Sequence, residues 1–167
     1  MRAKTKEDLL SLVGQLDHIR QALRITVEEA EKKAREFNKV VPTAFDLRGI
    51  GSLLHDFYTA TEDVFEAIAG EVNGELPDGV EWHKKLLTGM SIAIPQLRPA
   101  VISEELRWKL DEYLRFRHVF RNVYGYLLDW KRLRPLLENM KLVYQQFERE
   151  IATFRSFLMR LAEELDR

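Results

Sequence analysis

The sequence predicts an all-α protein, an antiparallel bundle of four to five helices. Three observations predict it. Apolar residues recur every three or four positions through long stretches at both ends of the chain, no stretch alternates as a half-buried strand would, and Gly and Pro are scarce, at eight and five. No segment repeats another.

From about Lys6 to Phe37, Leu9, Leu12, Val13, Leu16, Ile19, Leu23, Val27, Ala30, Ala34 and Phe37 draw one apolar stripe along a long helix. "NKVVPTAFD" interrupts it: Pro42 resists helix continuation, and Thr43 offers a cap for the next helix. That second helix extends to about Val72 on Ile50, Leu53, Leu54, Phe57, Tyr58, Thr61, Val64, Phe65 and Ile68, despite Gly49 and Gly51 near its start. "NGELPDG" is turn chemistry, and a short helix follows from about Val80 to Met90. Two prolines keep "IAIPQLRPAVI" irregular. Ser103, with Glu105 and Leu106 beyond it, opens a fourth helix that Gly125 and "LLD" end or kink. A last helix from about Trp130 to Leu165 is set by Leu133, Leu136, Leu137, Met140, Val143, Tyr144, Phe147, Ile151, Phe154, Leu158, Leu161 and Leu165. The two long terminal helices are expected to flank the others.

A chain of 167 residues can bury one core, so a single domain over 1–167 is expected. Hydrophobic residues at 46% and charged residues at 32% fit a globular helical chain rather than a disordered one. Without Cys there is no disulfide framework and no thiolate metal site. No window reaches a membrane span, and "MRAKTKEDLL" lacks an apolar signal core, so the expected location is cytoplasmic. The net charge of -1 conceals segregation. Arg107 to Arg134 holds eight Lys or Arg against three acids, whereas Gly49 to His83 holds eight Asp or Glu and no Lys or Arg. Such separation suits a polyanion at one place and a basic partner at another, or two solvated faces.

The chemistry concentrates in the fourth helix. After Leu106, Leu110 and Tyr113 the apolar line should reach hydrophobic residues at 117, 120 and 124; the sequence places Arg117, Phe120 and Tyr124 there. Arg117, Arg121 and Tyr124 share one side of the helix, and Arg115, His118 and Asn122 share another. A cation to stabilise charge on phosphorus, and an imidazole to move protons to and from a 2′-hydroxyl and a leaving oxygen, suit RNA cleavage without a metal. No paired-histidine metal motif and no glycine-rich phosphate loop competes with them, and no cofactor is expected. Trp82 and His83 are read as a packed aromatic pair, Phe57 and Tyr58 as core, and His18 and His55 as lacking polar company.

"FRHVFRNVYGYLLDW" resembles the signature segment of HEPN domains of the HepT-like kind, in which Arg, four intervening residues, His, one residue and Tyr follow in order. "LLHDFYTATEDVFEAIAGEVNGELPDGVEWHKKLL" resembles the second helix and Trp-His segment of one HepT-like subgroup, so the likeness spans Leu47 to about Leu137. Arg117 matches the motif Arg, His118 the polar position after it, and Tyr124 the Tyr; Asn122 stands where the motif has His. The resemblance implies a HEPN-like fold and a homodimer whose facing motifs form one cleft, a setting that would accommodate an arginine on a core line. It also implies a toxin of a toxin–antitoxin module. Such a toxin is a metal-independent endoribonuclease with an RNA substrate, no DNA and no membrane, neutralised by a minimal nucleotidyltransferase antitoxin that adenylylates the motif tyrosine. On that pattern Arg117, His118 and Asn122 form the catalytic set, Arg115 and Arg121 bind RNA, and Tyr124 is the modified residue. The acidic run from Gly49 to His83 offers a docking face for the partner.

Asn122 cannot exchange a proton at neutral pH, which leaves His118 as the nearest source of proton transfer. Three other readings follow from the same residues. One is a catalytically inactive HEPN module that binds RNA, another a substrate-binding partner subunit of a nucleotidyltransferase. The third is a helical adaptor whose arginines pair with carboxylates across a dimer interface.

Overall fold

The computed structural model describes residues 4–122 and 127–165. Among these residues five α-helices follow in order: α1 Lys6–Glu36, α2 Ala44–Ile68, α3 Trp82–Met90, α4 Glu104–Asn122 and α5 Trp130–Glu164. Among the described residues there is no strand, only an isolated bridge between Ile94 and Arg98. No described helix is long and apolar enough to cross a membrane.

Local chemistry accounts for the helix ends. Thr5 with Asp8, and Thr43 with Asp46, form reciprocal capping boxes that satisfy the first amides of α1 and α2. The Ser103 hydroxyl accepts from the Leu106 amide at 3.1 Å, and the Asp129 carboxylate accepts from the Lys131 amide at 3.0 Å, setting the starts of α4 and α5. The second helix is α-helical to Ile68 and finishes as a wider π-helical turn, Ala69–Asn73, closed by Gly74 at φ 83°. The short helix begins at Trp82, two residues later than its apolar pattern implies, because Gly79 at φ 87° and a turn closed by the Trp82 amide on the Gly79 carbonyl occupy the residues before it. Gly125 and Tyr124 lie outside the described residues.

Helices α1, α2, α4 and α5 form a four-helix ring in which each neighbour runs antiparallel to the last, with α3 laid over α2 and α4. The long terminal helices do not flank the others: α1 packs along α5, joined by Arg20–Glu148 at 2.9 Å, Arg155–Asp17 at 3.0 Å and Lys141–Glu31 at 2.7 Å. Their apolar stripes are the longest in the chain, so pairing them buries the most surface. Leu9, Leu16, Leu23, Leu54, Phe57, Phe65, Leu110, Phe147, Ile151 and Leu158 are completely buried between the layers.

Two features fix where α3 and α4 sit. Arg98, buried with 4% exposure, donates from Nε to Asn73 Oδ1 and from its Nη atoms to the carbonyls of Gly89, Ile92 and Pro99. That network satisfies the irregular segment after α3 with one side chain. At the other end, Gly51 lets α4 approach α2 closely: a Cβ there would lie 2.7 Å from the Phe120 ring. Phe120 also stacks on Phe116 at 5.6 Å and meets the His55 ring at 5.6 Å, which seats the last turn of α4 against α2.

Candidate functional site

On α2, Tyr58, Glu62 and Phe65 fall on successive turns of the core-facing side, and Glu62 is the charged member. On α4, Leu110, Leu114 and Arg117 do the same. Because the helices run antiparallel, the two charged interruptions meet. Arg117 Nη2 lies 3.7 Å from Glu62 Oε1, and Arg117 Nε donates to Thr59 Oγ1 at 3.4 Å. The second Glu62 oxygen, Oε2, is 2.8 Å from His83 Nδ1 on α3. One buried carboxylate therefore holds an arginine from one helix and a histidine from another. The core-line arginine is paired inside its own chain, without needing a second subunit to accept it.

Around this triad lies a cleft of about 710 Å³ lined from α4 by Asp111, Arg115, Arg117, His118, Arg121 and Asn122, and from the α3 side by Val80, Glu81, His83 and Lys84. Five of the six sequence-predicted site residues thus share one wall; the sixth, Tyr124, lies outside the described residues. Arg115 is tethered by Nη2 to the buried Asp111 at 2.7 Å, although its own side chain is 73% exposed. Arg121 and His118 are exposed. Asn122 turns its amide back along the helix, donating from Nδ2 to the His118 carbonyl at 2.7 Å. Bound that way, the Asn122 side chain caps the end of α4. Trp82 and His83 do form a close ring pair, 3.7 Å between centroids. His83 does more than pack, however, since its Nδ1 is committed to Glu62 and its ring borders the cleft.

The electrostatics follow from burial. Partial burial raises the Glu66 carboxyl above its usual range, reinforced by Glu62 and Asp63 and opposed by His83 and Arg117. Burial likewise raises Asp63, with Arg117 opposing it. The acidic run from Gly49 to His83 is thus not one outer face: Glu62 points into the molecule toward Arg117, and Glu81 borders the cleft. Behind Glu62, Tyr58 is fully buried, and its hydroxyl has no hydrogen-bond partner among the described residues. Burial first, and then the Glu62 charge, push that phenol well above its ordinary value. Among the described residues no three His, Asp or Glu side chains converge as a metal site.

Sequence reasoning missed Glu62, Thr59 and Asp111, and underrated His83. A signal for Glu62 was present, a carboxylate four residues beyond Tyr58 on an apolar line, the counterpart of Arg117 on α4. Thr59 carried none, because its hydroxyl matters only where α4 crosses it.

No curated protein and no solved structure matches the chain. The family model of HepT-like proteins matches residues 49–158, a span that takes in almost all of α2, the whole of α3 and α4, and most of α5, and with them every residue of the cleft. The chain belongs to the HepT-like protein family.

Proposed function

We propose that this HepT-like protein is the toxin of a toxin–antitoxin module and cleaves RNA without a metal in the cleft between α3 and α4. The observation that carries the reading is the convergence of Arg117, His118, Arg115 and Arg121 on one cleft wall. Arg117 is oriented by Glu62 and Thr59, and its remaining N–H donors, without another partner among the described residues, can meet a phosphate whose negative charge grows as the 2′-oxygen attacks. His118 exchanges protons. Arg115 and Arg121 hold the neighbouring phosphates, and Asn122, one N–H of which goes to the His118 carbonyl, orients phosphate or ribose through its second N–H or its Oδ1. Two chains pairing across α4 would bring two such walls together, and a nucleotidyltransferase antitoxin would silence the site by adding a nucleotide to Tyr124. That adduct adds bulk and negative charge to the motif, which repels the phosphates of RNA.

The test is cleavage of a labelled RNA pool by the purified chain in excess chelator, beside Arg117→Lys and Arg117→Ala. Lysine keeps a cation for Glu62 while losing the forked guanidinium, so its loss of activity separates catalysis from folding. Chelator-resistant cleavage that falls at least about 100-fold in Arg117→Lys supports the reading. Absence of cleavage by the folded wild-type chain refutes it.

The Asn122 amide, bonded to the His118 carbonyl, favours a second reading, an RNA-binding module that does not cleave. That protein would retain salt-sensitive RNA binding and remain inactive in the same assay.

A further inference from the structure

Cleavage by transphosphorylation needs two proton transfers, one from the attacking 2′-hydroxyl and one to the leaving 5′-oxygen. The α4 motif supplies a single imidazole, His118, because position 122 is Asn. The fold brings a second imidazole to the same cleft from a different helix. His83 borders the cleft with its side chain 26% exposed, while the carboxylate that holds its Nδ1 at 2.8 Å is only 4% exposed. A carboxylate on Nδ1 fixes that nitrogen as the donor, so Nε2 is left with its lone pair. The same carboxylate stabilises the imidazolium that forms when Nε2 takes a proton. Trp82, 3.7 Å away between centroids, limits how the ring turns. Glu62 therefore holds, through its two oxygens, both the cation meant for phosphorus and this base.

We propose that His83, oriented by Glu62, is the general base of the cleavage reaction, an assignment that rests on the ribonuclease reading above. His83 Nε2 takes the 2′-hydroxyl proton as O2′ attacks phosphorus and the O2′–P bond forms. The P–O5′ bond breaks with its electron pair on O5′, which takes a proton from the imidazolium of His118. The products are a 2′,3′-cyclic phosphate and a 5′-hydroxyl end. Glu62 is a positioning residue in this scheme.

The experiment compares wild-type protein, His83→Gln, His83→Ala and His118→Ala in excess chelator on two substrates, an ordinary RNA and the same RNA with a 5′-bridging sulfur at the scissile linkage. Sulfur leaves without being protonated, so it relieves loss of the acid and not loss of the base. Gln at position 83 keeps an N–H for Glu62 but cannot accept a proton, which separates base chemistry from packing. His83→Gln, folded by circular dichroism, should lose about 100-fold or more on both substrates. His118→Ala should lose a similar factor on ordinary RNA and recover on the sulfur substrate. Wild-type-like cleavage by both His83 variants overturns the assignment while leaving the ribonuclease reading intact, and recovery of His83→Gln on the sulfur substrate overturns it as well, by making His83 the acid. Failure of the wild-type chain to cleave either substrate refutes the ribonuclease reading itself.

Discussion

Glu62 and Arg117 face each other across the contact of α2 and α4, Oε1 to Nη2 at 3.7 Å, with side chains 4% and 12% exposed. Each is the charged interruption of its own helix's apolar line, and each is tolerated because the other is there. The His83 contact gives the carboxylate a second partner, so the pair is the hinge between the core and the cleft.

Removing one member strands the other. Arg117→Ala should cost about 3 kcal/mol, the low end for breaking a buried pair, because Glu62 keeps His83. Urea unfolding should show the loss. The double variant Glu62→Leu with Arg117→Leu should regain most of it, since neither charge is then left unpaired. A double variant as unstable as Arg117→Ala would mean that packing, not charge pairing, dominates at this contact.

Asn122 is exposed and, among the described residues, its amide donates to the His118 carbonyl alone, so Asn122→His should cost no more than about 1 kcal/mol, the worth of that capping hydrogen bond. Because His83 and His118 carry both proton transfers in the ribonuclease reading, a third imidazole where the family motif has one should leave cleavage within about 10-fold of wild type. Single-turnover rates on one RNA measure this directly, and a larger rise would show that the chain lacks a proton acceptor that position 122 can supply.

Arg121 is an exposed cation on the cleft wall, whereas Arg115 is partly neutralised by Asp111 at 2.7 Å. Arg121→Ala should weaken RNA binding evenly across sequences and lower the slope of log K against log salt by about 0.7, the value for one single-strand phosphate contact. Arg115→Ala should lower it less. Titrations at several salt concentrations would reveal equal slopes for both variants and wild type if neither side chain meets a phosphate.

The Tyr58 hydroxyl is buried without a partner among the described residues, so Tyr58→Phe should stabilise the fold by about 1 kcal/mol near neutral pH. Its folded-state pKa is raised, by burial and then by Glu62, above that of the unfolded chain. The folded state therefore keeps a proton that the unfolded chain releases. The associated stability is complete below about pH 10 and is lost as pH rises beyond it. Tyr113 is raised in the same direction by burial and then Glu112, so part of the alkaline loss should persist in Tyr58→Phe. Unfolding at about pH 8 and about pH 11 should show a smaller drop in the variant than in wild type.

The sequence by itself determined the helices and the wall of the cleft. Apolar spacing carried α1 and α5 nearly end to end, Thr43 and Ser103 marked two helix starts, and a motif within α4 placed Arg115, Arg117, His118, Arg121 and Asn122 on adjacent turns. Those properties are local, set by periodicity and capping within a few residues. Only the tertiary structure decided what Arg117 pairs with and what His83 does. Glu62 on α2 and Arg117 on α4 have the whole of α3 between them in sequence, and His83 reaches Glu62 from α3. Their meeting depends on the antiparallel register of α2 and α4, on Gly51 admitting Phe120, and on Arg98 fixing the segment behind α3. Register is a sum over many packed side chains, and no short stretch of the chain contains it.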